Sequence, residues 1–451
     1  MKSRTLLNGI KALALFLSAC AALTAHAGTA LSDVPLFATT GVPGNLVLAL
    51  SVEFPTAVTA EDRSSYSATT KYLGYFDPLK CYVYTIDSSA GGNGSYFAPS
   101  GATGTNYSCS GKWSGNFMNW ATMQAVDPFR WALTGGYRNI DTTTTTILEK
   151  AWAPSNQGSP SNNFPHKTIS NSGSFSVSQV TPFSESLFNM QVLRCGNTML
   201  FRRTSTAFTN DSACPSSTAW DGVVSTAAAA TVYSVQVRVQ VCVAGSLEAN
   251  CAPYGSNAKP QGLIQQYSNK IRYSAFGYLN DPAPTGGSML RDGGVLRARM
   301  KYVGPTQPVP GSTAITNGNA EWSSTTGVFV TNPDPTDATN SSETGSVVAN
   351  SGVINYLNQF GRSAQAYKYY DPVSELYYAA TRYLRGLSNV TEYSDLTKFN
   401  GTTSTLANRT AMKDGFPVIS TWTDPILYSC QKNFVLGIGD TNSNQDKSLK
   451  G

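Results

Sequence analysis

Few residues in this sequence are equipped for catalysis. Of its two histidines, His26 and His166, only His166 lies outside the apolar opening, in a polar Pro-Asn-Ser setting. A Ser-His-Asp site would rest on that one residue, with no G-x-S-x-G elbow to present a serine. No Walker loop, H-E-x-x-H helix or dinucleotide fingerprint occurs. Paired carboxylates for glycoside cleavage need no fixed spacing, so the sequence is silent about them. Catalysis needs convergent acid, base or nucleophile groups, and the expectation here is a protein that is not an enzyme.

Sulfur chemistry is better represented, with eight cysteines. The first, Cys20, belongs to the opening segment. Cys81 with Cys109, Cys195 with Cys214, and Cys242 with Cys251 each bracket a Gly-, Ser- or Asn-rich stretch able to loop back. In an exported chain such pairs read as disulfides. Closing loops of roughly 10–30 residues would contribute on the order of 3 kcal/mol each. Cys430 is then unpaired. Zinc is the competing reading, but no pair has a short C-x₂₋₄-C spacing and histidines are scarce.

Export is written in the first residues. Lys2, Arg4 and Lys11 precede an apolar run from Ala12 to Leu23, and Ala25-His26-Ala27 offers a signal-peptidase site, which makes 1–27 a signal peptide. The run is too short to span a bilayer. Leu17-Ser18-Ala19-Cys20 also fits a lipoprotein box, so lipidation at Cys20 competes with cleavage after Ala27. Three of the formal +5 charges lie in the leader, which leaves about +2 on the mature chain. That is no footprint for nucleic acid. Charged residues are 13% of the chain, well below the usual ~25%, so Ser, Thr, Asn and Gly supply its polarity. No later segment is apolar and long enough to be transmembrane.

The elements that would position any site alternate between strand and helix. Asn45 to Leu50 is a short apolar run between Pro43-Gly44 and Pro55, as in a central parallel strand. Residues 85–111 read as a surface loop. A helix is predicted near Gly115, with Phe117, Trp120 and Ala121 at helical spacing and Pro128 as its limit. The run Thr142 to Thr146 is β-prone, and 154–178 is polar and irregular. Val232 to Val243 alternates as one half-buried strand. Gly262 to Ile271 places Leu263, Ile264, Tyr267 and Ile271 on one helical face, with strands at Tyr273–Leu279 and Val295–Val303. Residues 304–350 form a polar excursion with little capacity to pack. Asp371-Pro372 opens a helix whose apolar face is Val373, Leu376, Tyr377, Ala380, Tyr383 and Leu384, and Gly386 ends it. Asn433 to Asp440 is a last apolar strand. The expected fold class is α/β, a mainly parallel sheet with helices on both faces and large polar insertions.

Two further features are given surface roles. Asn332 to Asn340 lacks the spacing and closing glutamate of an EF-hand and reads as a solvated loop. Arg202-Arg203 and Arg297-Ala298-Arg299-Met300-Lys301 are basic clusters; the second sits on a predicted strand and reads as its solvated face, with contact to an anionic partner as the alternative.

Several stretches carry a resemblance. VRVQVCVAGSLEANCAPYGSNAKPQGLIQQYSNKIRYSAFGYLND (237–281) resembles the N-terminal half of the type IV pilus assembly and tip proteins called PilY or PilC. So do YLGYFDPLKCYVY (72–84), GNFMNWATM (115–123), GGVLRARMKYVG (293–304), INYLNQFGRSAQAYKYYDPVSELYYAATRYLRGL (354–387) and DPILYSCQKNFVLGIGDTN (424–442). The resemblance implies an exported, disulfide-bonded protein of the outer membrane, cell surface and pilus tip, passing through the periplasm. It implies roles in pilus assembly, adhesion, twitching motility and surface sensing, with minor pilins and other pilus components as partners. Host or abiotic surfaces are further partners, and an independent adhesin without a role in assembly is the alternative. The N-terminal half of such proteins contains a von Willebrand factor A-like domain, here 28–451, with insertions near 60–115, 140–225 and 304–350. Their C-terminal half is a calcium-binding β-propeller, which this sequence, a fragment ending at Gly451, is expected to lack.

The same resemblance raises a metal question. A von Willebrand A domain usually binds Mg²⁺ through D-x-S-x-S after its first strand, oxygen ligands that suit a hard cation. Here the motif positions are Ser51, Glu53 and Pro55. Asp440 falls where an acid from a later strand would be, with Asp424 and Thr421 as possible neighbours. Ser51, Glu53 and Asp440 are thus weak, degenerate candidates for Mg²⁺ or Ca²⁺. The expectation is no cofactor, the family's calcium site lying in the propeller.

Overall fold

A computed structural model describes residues 41–451 apart from 88–93, 156, 158–162, 207, 209–218, 221–231, 281–291, 400–401, 440–442, 444–445, 448 and 450–451. The leader, Cys20, Cys214 and Asp440 lie outside the described residues.

The apolar run after Pro43 forms the strand Gly44–Leu50. Val47 and Leu48 are fully buried, as a strand covered on both faces requires. It pairs in parallel with Ile271–Gly277 on one side and Asn433–Ile438 on the other. Val295–Lys301 adds antiparallel to Ile271–Gly277 and completes a four-stranded sheet. Alternating side chains then meet different helices. Phe276 packs on Tyr383 of helix Val373–Leu384, ring centroids 5.6 Å apart. Gly277, on the other face, lies under Tyr356 of helix Val353–Gln359, and a Cβ there would sit 1.9 Å from its hydroxyl. The sheet is mainly parallel, with a helix on each face.

The 220 residues between the first two parallel strands build two further large sheets and the two-stranded hairpin Cys251–Tyr254 with Asn257–Pro260. One has six strands in the order Trp113–Ser114, Lys80–Thr85, Tyr96–Ala102, Arg238–Val241, Thr146–Glu149 and Arg138–Asp141. The other has five, Ala219–Trp220, Tyr233–Gln236, Thr198–Arg202, Leu187–Gln191 and Lys167–Ser170. Trp113 joins them, meeting Phe97 on one side and Phe183, Phe188 and Phe201 on the other. The class is α/β.

Several expectations need correction. The alternating stretch 232–243 is two strands in two sheets, because Val237 turns its N–H to Asn197 and its carbonyl to Lys150. The threonine run is mostly a turn, Thr142 N–H reaching the Thr145 carbonyl, and only Thr146 joins a strand. Strands Tyr96–Ala102 and Lys167–Ser170 occupy stretches read as irregular. Pro128 sits in the first turn of a second helix, Val126–Thr134, rather than simply ending the first, Gly115–Thr122. The helix expected from Gly262 is one turn, Leu263–Gln266, with Leu263 and Tyr267 exposed.

The polar excursion also packs. Within it Asp334-Pro335 starts helix Pro335–Ser341, so Asn332–Asn340 is no solvated loop. Asp337 and Asp334 pair with Arg299 and Lys301, at 2.9 and 2.6 Å. The basic strand is therefore not a solvated face. Arg297 is 1% exposed and donates to the carbonyls of Tyr278, Met412, Lys413 and Pro417. In helix Val373–Leu384, Tyr377 faces solvent, reversing its expected place on the apolar face, and Glu375 is buried. Asn433–Ile438 ends before Asp440 and is the exposed edge of its sheet, Phe434 being 56% exposed.

The six-stranded sheet, a loop of the five-stranded sheet and the turn after helix Val353–Gln359 converge on Glu149, which is fully buried. Its carboxylate accepts from Arg238 of its own sheet and from Arg362, just beyond helix Val353–Gln359. It also accepts from Asn197, beside the five-stranded sheet, at 2.7 Å. Removing one partner of such a buried group costs far more than the group contributes net. Glu149→Ala should lower stability by about 3–5 kcal/mol, read as the loss of unfolding free energy in urea; an unchanged midpoint would refute the hub.

Candidate functional site

Ligands of open α/β sheets collect beyond the carboxyl ends of the parallel strands, where the chain crosses over. Here that place holds a cluster of acids and hydroxyls. The Ser51 hydroxyl donates to Glu53 Oε2 at 2.6 Å and lies 3.2 Å from Tyr278 Oη. Glu53 Oε1 accepts the Thr56 N–H at 3.0 Å and so caps the short helix Phe54–Val58. Asp371 and Glu375, at the start of helix Val373–Leu384, are both buried. Asp446 accepts from the Ser374 N–H at 3.0 Å, and its carboxyl is hydrogen-bonded to Ser443 and Glu375. A buried Lys368–Asp292 pair, 2.6 Å apart, closes one side.

Burial sets the protonation here. Loss of solvent raises the Glu53 pKa to about 7; hydrogen bonds from Ser51 and Thr56 oppose that rise, and the charge on Asp371 adds to it. Burial likewise drives the Tyr278 phenol well above its ordinary value. The cluster can hold and share protons between carboxyl groups.

Its described residues do not make a cage for a hard cation. Both Glu53 oxygens are taken by its own loop, the Ser51 hydroxyl is turned to Glu53, and Pro55 has no side-chain oxygen. Asp440 lies outside the described residues. Asp424 and Thr421 are not neighbours. Asp424 lies beside Gly386, past the opposite end of the helix that Asp371 and Glu375 begin, and the Thr421 carbonyl accepts from Arg299.

Among the described residues, one group has metal-ligand atoms mutually close, namely Cys242, Glu248 and Cys251. Its sulfurs are joined in a disulfide, S–S 2.06 Å. Glu248 accepts the Cys242 N–H at 2.6 Å and pairs with Lys80 at 2.6 Å, fixing that loop. Cys81 and Cys109 form a second disulfide, S–S 1.98 Å. Cys195 is also disulfide-bonded, and Cys430 is free and exposed. His166 Nδ1 lies 2.6 Å from the Phe208 carbonyl, and burial lowers its pKa. Arg203 of the other basic cluster pairs with Glu185.

Ser51 and Glu53 are legible in the sequence as motif positions, but Tyr278, Glu375 and Asp446 are not. The available signal is Asp371-Pro372, which by itself marks only a helix start. The remaining members come from distant segments that only strand pairing brings together.

These features define an α/β protein with disulfide-pinned loops and a buried carboxyl cluster at its sheet's carboxyl edge. Residues 63–219 match the family description "PilY1 homolog, small alpha/beta domain", and residues 288–451 match "PilY1 homolog, second domain". The chain is 43% identical over 438 residues to a type IV pilus biogenesis factor PilY1 homolog of Xylella fastidiosa (strain Temecula1 / ATCC 700964), covering 94% of this chain and 34% of that one. A second PilY1 homolog of the same strain is 29% identical over 282 residues, covering 55% of this chain and 17% of its own length. The chain is thus related to PilY1 homologues, and spans about a third or less of the curated relatives it matches. No solved structure matches it.

Glu53 predicts a pH dependence. Its native pKa of about 7 exceeds the ordinary 4.5, so the folded state binds the extra proton. That stabilisation is complete below the unfolded pKa and is lost as pH rises through the native one. Between pH 5 and 8 the wild type should lose about 2–3 kcal/mol more unfolding free energy than Glu53→Gln, by urea titration. Parallel profiles for the two proteins would contradict the assignment.

Proposed function

We propose that the chain acts in type IV pilus biogenesis as an exported factor whose loops contact pilus components. The observation that carries this reading is the 43% identity over 438 residues to a protein named as a type IV pilus biogenesis factor. Disulfides at Cys81–Cys109 and Cys242–Cys251 suit an oxidising compartment outside the cytoplasm. Among the described residues no helix is long and apolar enough to cross a membrane, and the reading needs none.

The finer reading is a tip-associated protein with a leader over 1–27 and a von Willebrand A-like domain interrupted by insertions. The strand order and helix-covered faces of the four-stranded sheet support that domain assignment. Minor pilins are the proposed assembly partners, and adhesion with twitching motility is the proposed output. Tyrosine is abundant, with 23 in the chain, and gives broad amphipathic contact at low entropic cost.

Deleting the gene should abolish surface pili, counted by electron microscopy, and re-expression should restore them. A deletion strain with wild-type numbers of pili would rule out the assembly role.

A further inference from the structure

We infer that the cleft between the edge strand Arg138–Asp141, the 328–331 loop and the end of helix Val353–Gln359 is a binding site for a neutral sugar unit. This deepens the adhesive part of the reading above and rests on it for its biological setting.

The cleft has a volume of about 240 Å³, below the roughly 300–1,000 Å³ of pockets for drug-sized ligands. It suits something the size of one hexose ring. Its lining is unusual in being built from carboxamides, those of Asn139, Asn355, Asn358 and Gln359. A carboxamide both donates and accepts, as a sugar hydroxyl does. Proteins ordinarily spend buried amides on their own backbone, and here part of the set is unspent. Asn358 Oδ1 accepts from Thr134 at 2.7 Å, and Asn355 Nδ2 donates to the carbonyls of Val330, Thr331 and Ser351. Among the described residues the Asn358 amide nitrogen, Asn355 Oδ1 and the whole side-chain amides of Asn139 and Gln359 have no protein partner.

Charge points the same way. Asp141 is held by Arg138 and Lys259, each at 2.9 Å. Arg138 further donates to the carbonyls of Gly327 and Pro260 and lies 3.6 Å over the Phe329 ring. Apart from Arg138 Nε, which is buried without a partner among the described residues, the ionic groups at the cleft are committed to protein partners, and the other polar groups left for a ligand are uncharged. Phe329 and Tyr137 complete the lining as aromatic wall, one face of each ring being covered by a guanidinium, Arg138 on Phe329 and Arg362 on Tyr137 at 4.3 Å.

The test titrates the purified chain with D-glucose, D-galactose, D-mannose and N-acetylglucosamine, each by saturation-transfer NMR. At least one should bind in the millimolar range. Asn139→Ala combined with Gln359→Ala should weaken it about tenfold or more, since two ligand hydrogen bonds are lost. Neither side chain bonds to the protein, so thermal unfolding should be unchanged and serves as the folding control. No transfer to any of the four sugars, or equal affinity in the double variant, overturns the site. Failure here leaves pilus assembly untouched. A strain carrying the double variant should keep its pili and lose attachment to a surface bearing the bound sugar.

Discussion

The fold hangs on one buried carboxylate. Glu149 comes from an edge-proximal strand of the six-stranded sheet, yet its partners belong to three different layers: Arg238, Arg362 and Asn197. The next residue repeats the theme with opposite sign. The Lys150 ammonium donates to Gln124 Oε1, the Ala151 carbonyl and the Gly196 carbonyl, and burial lowers its pKa to about 8. Charges this deep are tolerated only when every hydrogen-bonding position is met. Meeting them demands that the six-stranded sheet, the five-stranded sheet's loop at 196–197 and the turn at Arg362 arrive in one arrangement. The polar hub specifies the assembly, and the aromatic packing around Trp113 supplies the non-directional attraction that holds it.

With the layers fixed, the four-stranded sheet has little freedom. Its central strand is covered on both faces, and its neighbour Ile271–Gly277 carries Arg272, which donates to Asn45 and to the carbonyls of Pro425 and Met300. The carboxyl ends of the parallel strands therefore open onto helix Val373–Leu384. Glu53, Asp371, Glu375 and Asp446 meet there through pairing, not proximity in sequence. The outer strand Asn433–Ile438 differs: Phe434 and Leu436 remain exposed, and among the described residues no strand pairs with its free edge.

Local pattern was legible where it coincided with local cause. The run after Pro43 formed a buried strand because an uninterrupted apolar run suits a strand covered on both faces. Helix Gly115–Thr122 formed where Phe117, Trp120 and Ala121 share a face. Pattern misled where one stretch served two layers. The alternation over 232–243 is genuine, but Val237 answers to two sheets and breaks the strand between them. Arg297 looked solvated because arginines usually are; four carbonyls from separate segments bury it, and no spacing announces them. Tyr377 leaves its expected side and Glu375 is buried because a carboxyl cluster, not an apolar surface, meets the helix start.

The sequence alone determined the α/β class, the paucity of catalytic groups and the likeness to pilus proteins, since composition, periodicity and long matching segments are properties of the chain as a line. Tertiary structure decided which acids meet, which basic residues are buried and which amides are left without partners. Those outcomes depend on contacts between residues hundreds of positions apart, whose energies exist only once the sheets have closed on Glu149.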